Sequence, residues 1–158
     1  MACPFFMPVT RFENGSWPFP ARLPLGSGWS GRCTASGHEG ESPTTEELER
    51  FCNLGYATGC SRLPRDRNCD SVRFAVAKTP VVSAERTDEG ASNRLLQLRF
   101  VREREHRPVE HGSLEYDLER GSWMQRHYDE RVQRMAECFL ESFLTKRNSQ
   151  SENASPVE

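Results

Sequence analysis

The chain has 158 residues, of which 35% are hydrophobic and 28% charged, so its apolar core is small for one domain with a short appendage. Its net charge of −2 argues against a general nucleic-acid or membrane-surface binder, since both need a marked basic excess. No run of about 18 apolar residues is present and residues 1–6 do not resemble a secretory signal, so we expect a cytoplasmic protein without a membrane span.

The first part of the chain, residues 1–69, contains five of the six cysteines. Its prolines and glycines interrupt long helices and central strands. It is nevertheless rich in aromatic side chains, which usually pack against something even when they lie in loops. We therefore expect an irregular lobe that is held together by a covalent or metal staple.

One helix is predicted inside this lobe, over residues 43–54. Ser42 is a suitable N-cap and Pro43 suits the first helical position. Gly55 is a plausible residue to end the helix. Cys52 then lies in the last turn, and Cys60 lies in the loop that follows.

The second part, residues 70–146, has an α+β pattern. Alternating apolar residues predict strands at residues 72–76 and 96–105, and a weaker edge strand at residues 114–118. A polar turn is expected at residues 87–93, and Arg107-Pro108 is expected to end the second strand.

A long amphipathic helix is predicted from Ser122 to about Lys146, where it covers one face of a three-stranded antiparallel meander. Residues 147–158 have the composition of a disordered tail.

The cysteines allow four interpretations. A disulfide framework needs an oxidising compartment, which no signal sequence supports. A structural zinc site usually contains close C-x₂₋₄-C pairs, and none is present. An iron–sulfur cluster accepts four thiolates from well-separated positions in a loop-rich, apolar setting. The thiols of an ordinary intracellular domain need no ligand at all. We favour the cluster, of the [4Fe–4S] type, with zinc as the alternative.

The predicted ligands are Cys3, Cys33, Cys52 and Cys60. Cys69 is only the alternate ligand, because the acidic residues on either side of it oppose the formation of a thiolate. Cys138 lies on the apolar side of the long helix and is expected to be a buried core residue.

A resemblance accompanies this choice. The elements Cys3-Pro4-Phe5-Phe6, Cys33-Thr34-Ala35 and Phe51-Cys52, with Gly55-Tyr56 and Cys60 after them, are similar to those of short bacterial proteins of no assigned function. Those proteins have a CPF-like start, a middle cysteine and a C-x-x-G-Y…C pair. The resemblance extends to about residue 65. It implies a cysteine-ligated metal in a bacterial cytoplasm and implies no enzymatic activity.

Other chemistry has less support in the sequence. His106, Glu110 and His111 could form a mixed metal site or an acid–base pair, but a solvated turn is the favoured interpretation. His127 is expected at the boundary of the core. No nucleophile elbow, P-loop or C-x-x-C motif is present. The sequence therefore predicts a small non-catalytic metalloprotein, with a module that binds a protein partner as a second hypothesis and an enzyme as the weakest.

Overall fold

The computed structural model describes residues 1–13, 23–77 and 95–152, with the side chains of residues 151 and 152 left aside. These residues form an α+β fold with two antiparallel sheets and two helices. The elements in chain order are β1 (Phe6–Arg11), β2 (Trp29–Cys33), α1 (Thr45–Glu47) with a π-helical turn (Leu48–Cys52) directly after it, β3 (Ser71–Val76), β4 (Leu95–Arg104), β5 (Arg107–Asp117), β6 (Ser122–Gln125) and α2 (Glu130–Glu152).

The first sheet is the antiparallel pair β1–β2, in a region that was expected to be irregular. Pro8 is accommodated because the register shifts between Pro8 and Thr10, and a proline without an N–H is tolerated at such a bulge. Gly31 lies opposite Pro8, and a Cβ atom there would be 2.2 Å from the carbonyl oxygen of Met7. The close pairing of the two strands therefore depends on glycine at this position.

The second sheet has four strands in the order β3-β4-β5-β6, so the predicted three-stranded meander is wrong. The additional strand, β6, lies where the sequence predicted the start of the long helix at Ser122. Gly121 adopts φ +64° in the turn before it. Trp123 then packs edge-to-face on Tyr116 of β5, with ring centroids 5.2 Å apart. The spacing of Trp123 suits a helical stripe as well as a strand, and this contact with β5 explains why it belongs to a strand.

Strand β5 is longer than predicted, and it lies inside the sheet instead of at its edge. Arg107-Pro108 begins this strand and does not end the sheet pairing. Pro108 pairs with Glu103 next to a shift of register, where a missing N–H is tolerated. Glu105 and His106 have φ of 50° and 62°, the left-handed conformations of a tight hairpin turn. The strands predicted at residues 72–76 and 96–105 are confirmed as β3 and β4, whereas the turn predicted at 87–93 lies outside the described residues.

The first helical segment begins later than predicted. Thr44, not Ser42, is the N-cap: its hydroxyl accepts a hydrogen bond from the N–H of Glu47, and the Glu47 carboxylate accepts one from the N–H of Thr44. This reciprocal capping box needs an acidic or amide residue three positions after the cap, which Thr44 has and Ser42 lacks. Cys52 is the last residue of the π-helical turn, and Gly55 follows with φ +66°.

Helix α2 begins at Glu130 and continues to Glu152. Asp129 caps it by accepting a hydrogen bond from the N–H of Arg131 at 2.9 Å. Its buried apolar side chains are Val132, Met135, Ala136, Cys138 and Leu140. The prediction of a disordered tail is wrong for residues 147–152, which are helical, and residues 153–158 lie outside the described part of the chain.

One hydrophobic core joins both parts of the chain. Phe6 and Trp29 of the first sheet belong to the same buried cluster as Leu98 of β4 and Met135 of α2. Arg134 of α2 also donates hydrogen bonds to the carbonyl oxygens of residues 8 and 9 in β1, at 3.0 and 3.1 Å. The cysteine-bearing segments therefore rest on the large sheet and the long helix.

Candidate metal centre

Backbone hydrogen bonds hold Cys3 between two other segments. The preceding residue, Ala2, exchanges two hydrogen bonds with Val72 of β3, at 2.7 and 2.9 Å. The N–H of Cys3 then donates to the carbonyl oxygen of Cys52 at 3.0 Å. Two of the predicted ligands, 49 positions apart in the sequence, are thus joined directly through the backbone.

Cys33 and Cys60 are presented by turns. Cys33 is the last residue of β2, opposite Phe6, and its N–H and C=O bond to the backbone of Glu41 and Gly40, both at 2.8 Å. Cys60 lies in a turn in which its N–H donates to the carbonyl oxygen of Ala57 at 2.8 Å. Backbone hydrogen bonds therefore fix Cys33 at the end of a strand and Cys60 within a turn.

The side chains of Cys3, Cys33, Cys52 and Cys60 line one pocket. The enclosed cavity between them is small, about 20 Å³. Its other lining residues are mostly apolar and include Phe5, Phe6, Ala35, Pro43, Phe51 and Leu63. Cys3 and Cys33 are buried, and Cys52 and Cys60 are half-buried. The four cysteines that the sequence predicted as ligands thus share one largely apolar space.

Burial controls the protonation of two of these thiols. The pKa of Cys3 is raised to about 12, chiefly by burial. A backbone hydrogen bond from Phe5 opposes this shift, and charge repulsion from Cys60, Cys33 and Cys69 adds to it. The pKa of Cys52 is also raised, first by burial and then by Cys3, Cys60, Cys33 and the carboxylate of Glu47. Both thiols are therefore neutral at pH 7 in the protein without a ligand, and a metal has to displace their protons.

Cys69 and Cys138 lie outside this pocket. Cys69 is buried and its thiol donates to the carbonyl oxygen of Ser71 at 3.1 Å. The guanidinium of Arg102 is a charged neighbour of this thiol, which the acidic residues near Cys69 in the sequence did not indicate. Cys138 is completely buried in α2, as predicted. The six cysteines all belong to the described residues and are free thiols, so the disulfide interpretation finds no bridge.

Asn53 is a positioning residue that the sequence did not indicate. It is 1% exposed. Its side-chain oxygen accepts from the N–H of Trp29, and its amide donates to the carbonyl oxygens of Trp29 and Leu48, at 3.0, 3.0 and 3.1 Å. Asn53 thereby ties β2, which ends in Cys33, to the turn that carries Cys52. An asparagine after a helical segment usually indicates only a helix end, and no sequence signal distinguishes this buried bridge.

Two charged residues, Arg62 and Glu47, also line the pocket. The Nε of Arg62 lies 3.1 Å from Glu47 and its Nη1 lies 3.3 Å from Glu41. Glu47 could have been found from its capping-box spacing, although that spacing says nothing of the pocket. Nothing local in the sequence identifies Arg62.

The histidine cluster does not assemble into one site. His106 stacks on Tyr56 at the hairpin turn, with ring centroids 4.3 Å apart. Glu110 bonds instead to the guanidinium of Arg102 at 2.7 Å, and adjacent residues of a strand such as Glu110 and His111 point to opposite faces. His127 is buried and lies 3.4 Å from Glu110. The structure therefore brings Glu110 to His127 and Arg102, not to the two histidines near it in the sequence.

The donor set of the pocket fits an iron–sulfur cluster in its chemistry, because such clusters are held by four cysteine thiolates. Within residues 1–13, 23–77 and 95–152, no three His, Cys, Asp or Glu side chains are arranged to hold a metal ion as they stand.

Comparison with known proteins adds no identification: the chain matches no protein-family model, no curated protein and no solved structure. Among the helices in the described ranges, none has the length and apolar character that crossing a membrane requires.

Proposed function

We propose that this chain is a small non-catalytic metalloprotein in which Cys3, Cys33, Cys52 and Cys60 bind an iron–sulfur cluster of the [4Fe–4S] type. The observation that carries the proposal is that four thiols from four separate segments line one pocket. An ordinary core disperses its few cysteines as small apolar residues, as it does here with Cys138. Four free thiols around one space are better explained as a ligand set.

The surroundings of the thiols also support a cluster. Phe5, Phe6 and Phe51 line the pocket, and an apolar shell limits solvent access and thereby sets the reduction potential of a cluster. When bound, the cluster would supply covalent cross-linking of four segments and a centre that accepts or gives an electron. Its role here is to hold the segments together or to sense the redox state.

The raised thiol pKa values give the proposal a pH dependence. Cys3 and Cys52 are protonated in the ligand-free chain, so cluster or metal binding releases protons. Affinity therefore rises with pH until the thiols ionise. A structural zinc site would share this pH dependence. Elemental analysis of the bound iron, sulfide and zinc is therefore needed to distinguish the cluster from a zinc ion.

The test is a panel of six Cys→Ala variants, purified without oxygen and assayed for iron and acid-labile sulfide per chain, with circular dichroism as a check on folding. Substitution of Cys3, Cys33, Cys52 or Cys60 is expected to abolish or strongly reduce both. Cys69→Ala and Cys138→Ala are the matched controls, because their sulfurs are buried outside the pocket, and are expected to keep wild-type content.

Each alternative outcome of this panel has a definite meaning. The proposed ligand set would be contradicted if Cys69→Ala lost iron and sulfide while Cys3→Ala kept both. About one zinc per chain, with no sulfide, would replace the cluster by a structural zinc site. A wild-type chain that is fully folded and free of metal would overturn both metal assignments.

A further inference from the structure

The cysteine pocket contains a charge pair of its own, in addition to the four thiols. Among the residues that line it, Arg62 is the one cation and Glu47 the one anion in the part of the chain that the structure describes. Their side chains are only 16% and 19% exposed, and Arg62 Nε lies 3.1 Å from Glu47 Oε1. This pair is therefore shielded from water, where charges act more strongly than at a surface.

Glu47 lines the same pocket as the four thiols. Because like charges repel, its carboxylate disfavours negative charge on a sulfur in that pocket. Glu47 is held in place from the other side by the capping box, in which its Oε2 accepts the N–H of Thr44 at 2.7 Å. Without a counter-charge, this carboxylate would oppose a thiolate ligand at Cys52.

Arg62 provides the counter-charge. Its Nη1 forms an ion pair with Glu41 at 3.3 Å, but this contact lacks the geometry of a hydrogen bond and the atom is inaccessible to water. A buried guanidinium N–H without a hydrogen bond is costly. A sulfur atom that becomes anionic in the adjacent pocket is an acceptor suited to it.

We infer that the Arg62–Glu47 pair sets the charge balance of the cysteine pocket, with Arg62 as a positioning residue that stabilises negative charge on the bound cluster. The inference rests on the proposed function, since it concerns the same pocket. Hydrogen bonds and net charge near the sulfurs determine the reduction potential of a cluster. Arg62 therefore raises the potential, and Glu47 lowers it.

The test is a redox titration of the cluster in the full chain, with Arg62→Gln, Glu47→Gln and the double variant. Each single variant is expected to change the ratio of reduced to oxidised cluster about tenfold at a given ambient potential, which corresponds to about 59 mV for a one-electron couple. Arg62→Gln shifts the potential down and Glu47→Gln shifts it up. The double variant is expected closer to wild type than Arg62→Gln, since the pair is removed as a neutral unit.

Two controls separate charge from structural damage. Arg62→Lys keeps the positive charge and is expected to retain a potential near that of wild type. Arg50→Gln removes a cation from the π-helical turn that leads to Cys52, but Arg50 is 66% exposed and pairs with Glu46 in water. Solvent screening is expected to leave the potential unchanged in this variant.

The outcomes distinguish this inference from the proposed function. A wild-type chain without iron and sulfide overturns both. If the single variants keep the wild-type cluster content while their reduction potentials shift in the same direction or do not shift, the charge-balance inference alone is overturned. If Arg62→Gln does not retain the cluster, Glu47→Gln decides: a higher potential supports the inference and an equal or lower one refutes it.

Discussion

Replacement of Asn53 by alanine is expected to be one of the most destabilising single substitutions near the cysteine pocket. The Asn53 amide is 1% exposed and makes three hydrogen bonds of 3.0, 3.0 and 3.1 Å to the backbone of Trp29 and Leu48. Alanine removes all three bonds and cannot replace any of them. The segment that presents Cys52 then loses its connection to the strand that ends in Cys33.

The magnitude follows from the bonds that are lost. Each intramolecular hydrogen bond contributes about 1 kcal/mol net, and a buried group left unpaired costs about 1–3 kcal/mol more. We therefore expect Asn53→Ala to lower the free energy of unfolding by about 3–5 kcal/mol. For a chain of this size, 1 kcal/mol corresponds to about 2–4 °C in Tm, so the midpoint should fall by about 10 °C.

Urea denaturation of the metal-free protein, followed by circular dichroism, measures this change. Asn68→Ala is the matched control: Asn68 is exposed and accepts a single 3.4 Å contact from Arg102, so its loss is expected to cost less than about 0.5 kcal/mol. If Asn53→Ala cost less than about 1 kcal/mol, or no more than Asn68→Ala, Asn53 would not be the bridge that we describe.

Three further predictions concern the same molecule. Gly55→Ala is expected to destabilise the chain by about 2 kcal/mol or more, because Gly55 has φ +66° and an added Cβ would lie 2.4 Å from the carbonyl oxygen of Met1; thermal melts measure this. In the metal-free protein, stability is expected to fall as the pH rises above about 9. The unfolded chain loses the Cys3 proton near pKa 9.0 while the folded chain keeps it to about 12, so Cys3 alone contributes a slope of up to about 1.4 kcal/mol per pH unit. Burial also raises the pKa of Cys52 and Cys138, which contribute in the same direction. Glu110→Gln is expected to lower the free energy of unfolding by about 1.5–3 kcal/mol at pH 7 and by little at acid pH. Burial raises the pKa of the Glu110 carboxyl, but hydrogen bonds from Arg102 and Tyr128 outweigh it, and the net pKa is lowered. The stabilisation by Glu110 is therefore present above the pKa of the unfolded chain and is lost as the pH falls through the lower pKa of the folded chain.

Controls for these predictions are available in the chain. Gly37 also has a positive φ, +84°, but an added Cβ there would meet nothing within 4 Å; equal losses in Gly37→Ala and Gly55→Ala would show that backbone strain alone is responsible. Cys3→Ala is expected to make the fall of the free energy of unfolding with pH less steep above pH 9, by the contribution of one proton. An unchanged slope would contradict the assignment to Cys3. For Glu110→Gln, a loss of the same size at pH 7 and pH 3 would rule out the carboxylate charge as the cause.

Elements set by local patterns could be predicted from the sequence. Alternating apolar residues identified β3 and β4, and the burial of Cys138 followed from its place on the apolar side of the long helix. Trp123 was misassigned because its spacing fits both a helix and a strand. What decides its conformation is the contact with Tyr116 across the β5–β6 turn, which local periodicity does not contain.

The pocket was only partly accessible to sequence reasoning. The count and context of the cysteines predicted that four of them share one site, but not that Asn53, Arg62 and Glu47 lie beside it. Asn53 reaches Trp29 over 24 positions, and Arg62 reaches Glu47 over 15. Cys69 shows the same limit, since acidic sequence neighbours were expected around its thiol, whereas the structure places Arg102 of β4 beside it. Long-range pairings of this kind depend on the tertiary fold.

The most direct test of the central claim is the number of iron and acid-labile sulfide ions per folded wild-type chain, purified or reconstituted without oxygen. We expect about four of each, as a [4Fe–4S] cluster requires. A folded chain that contains neither, or that contains only a single zinc ion, would contradict it.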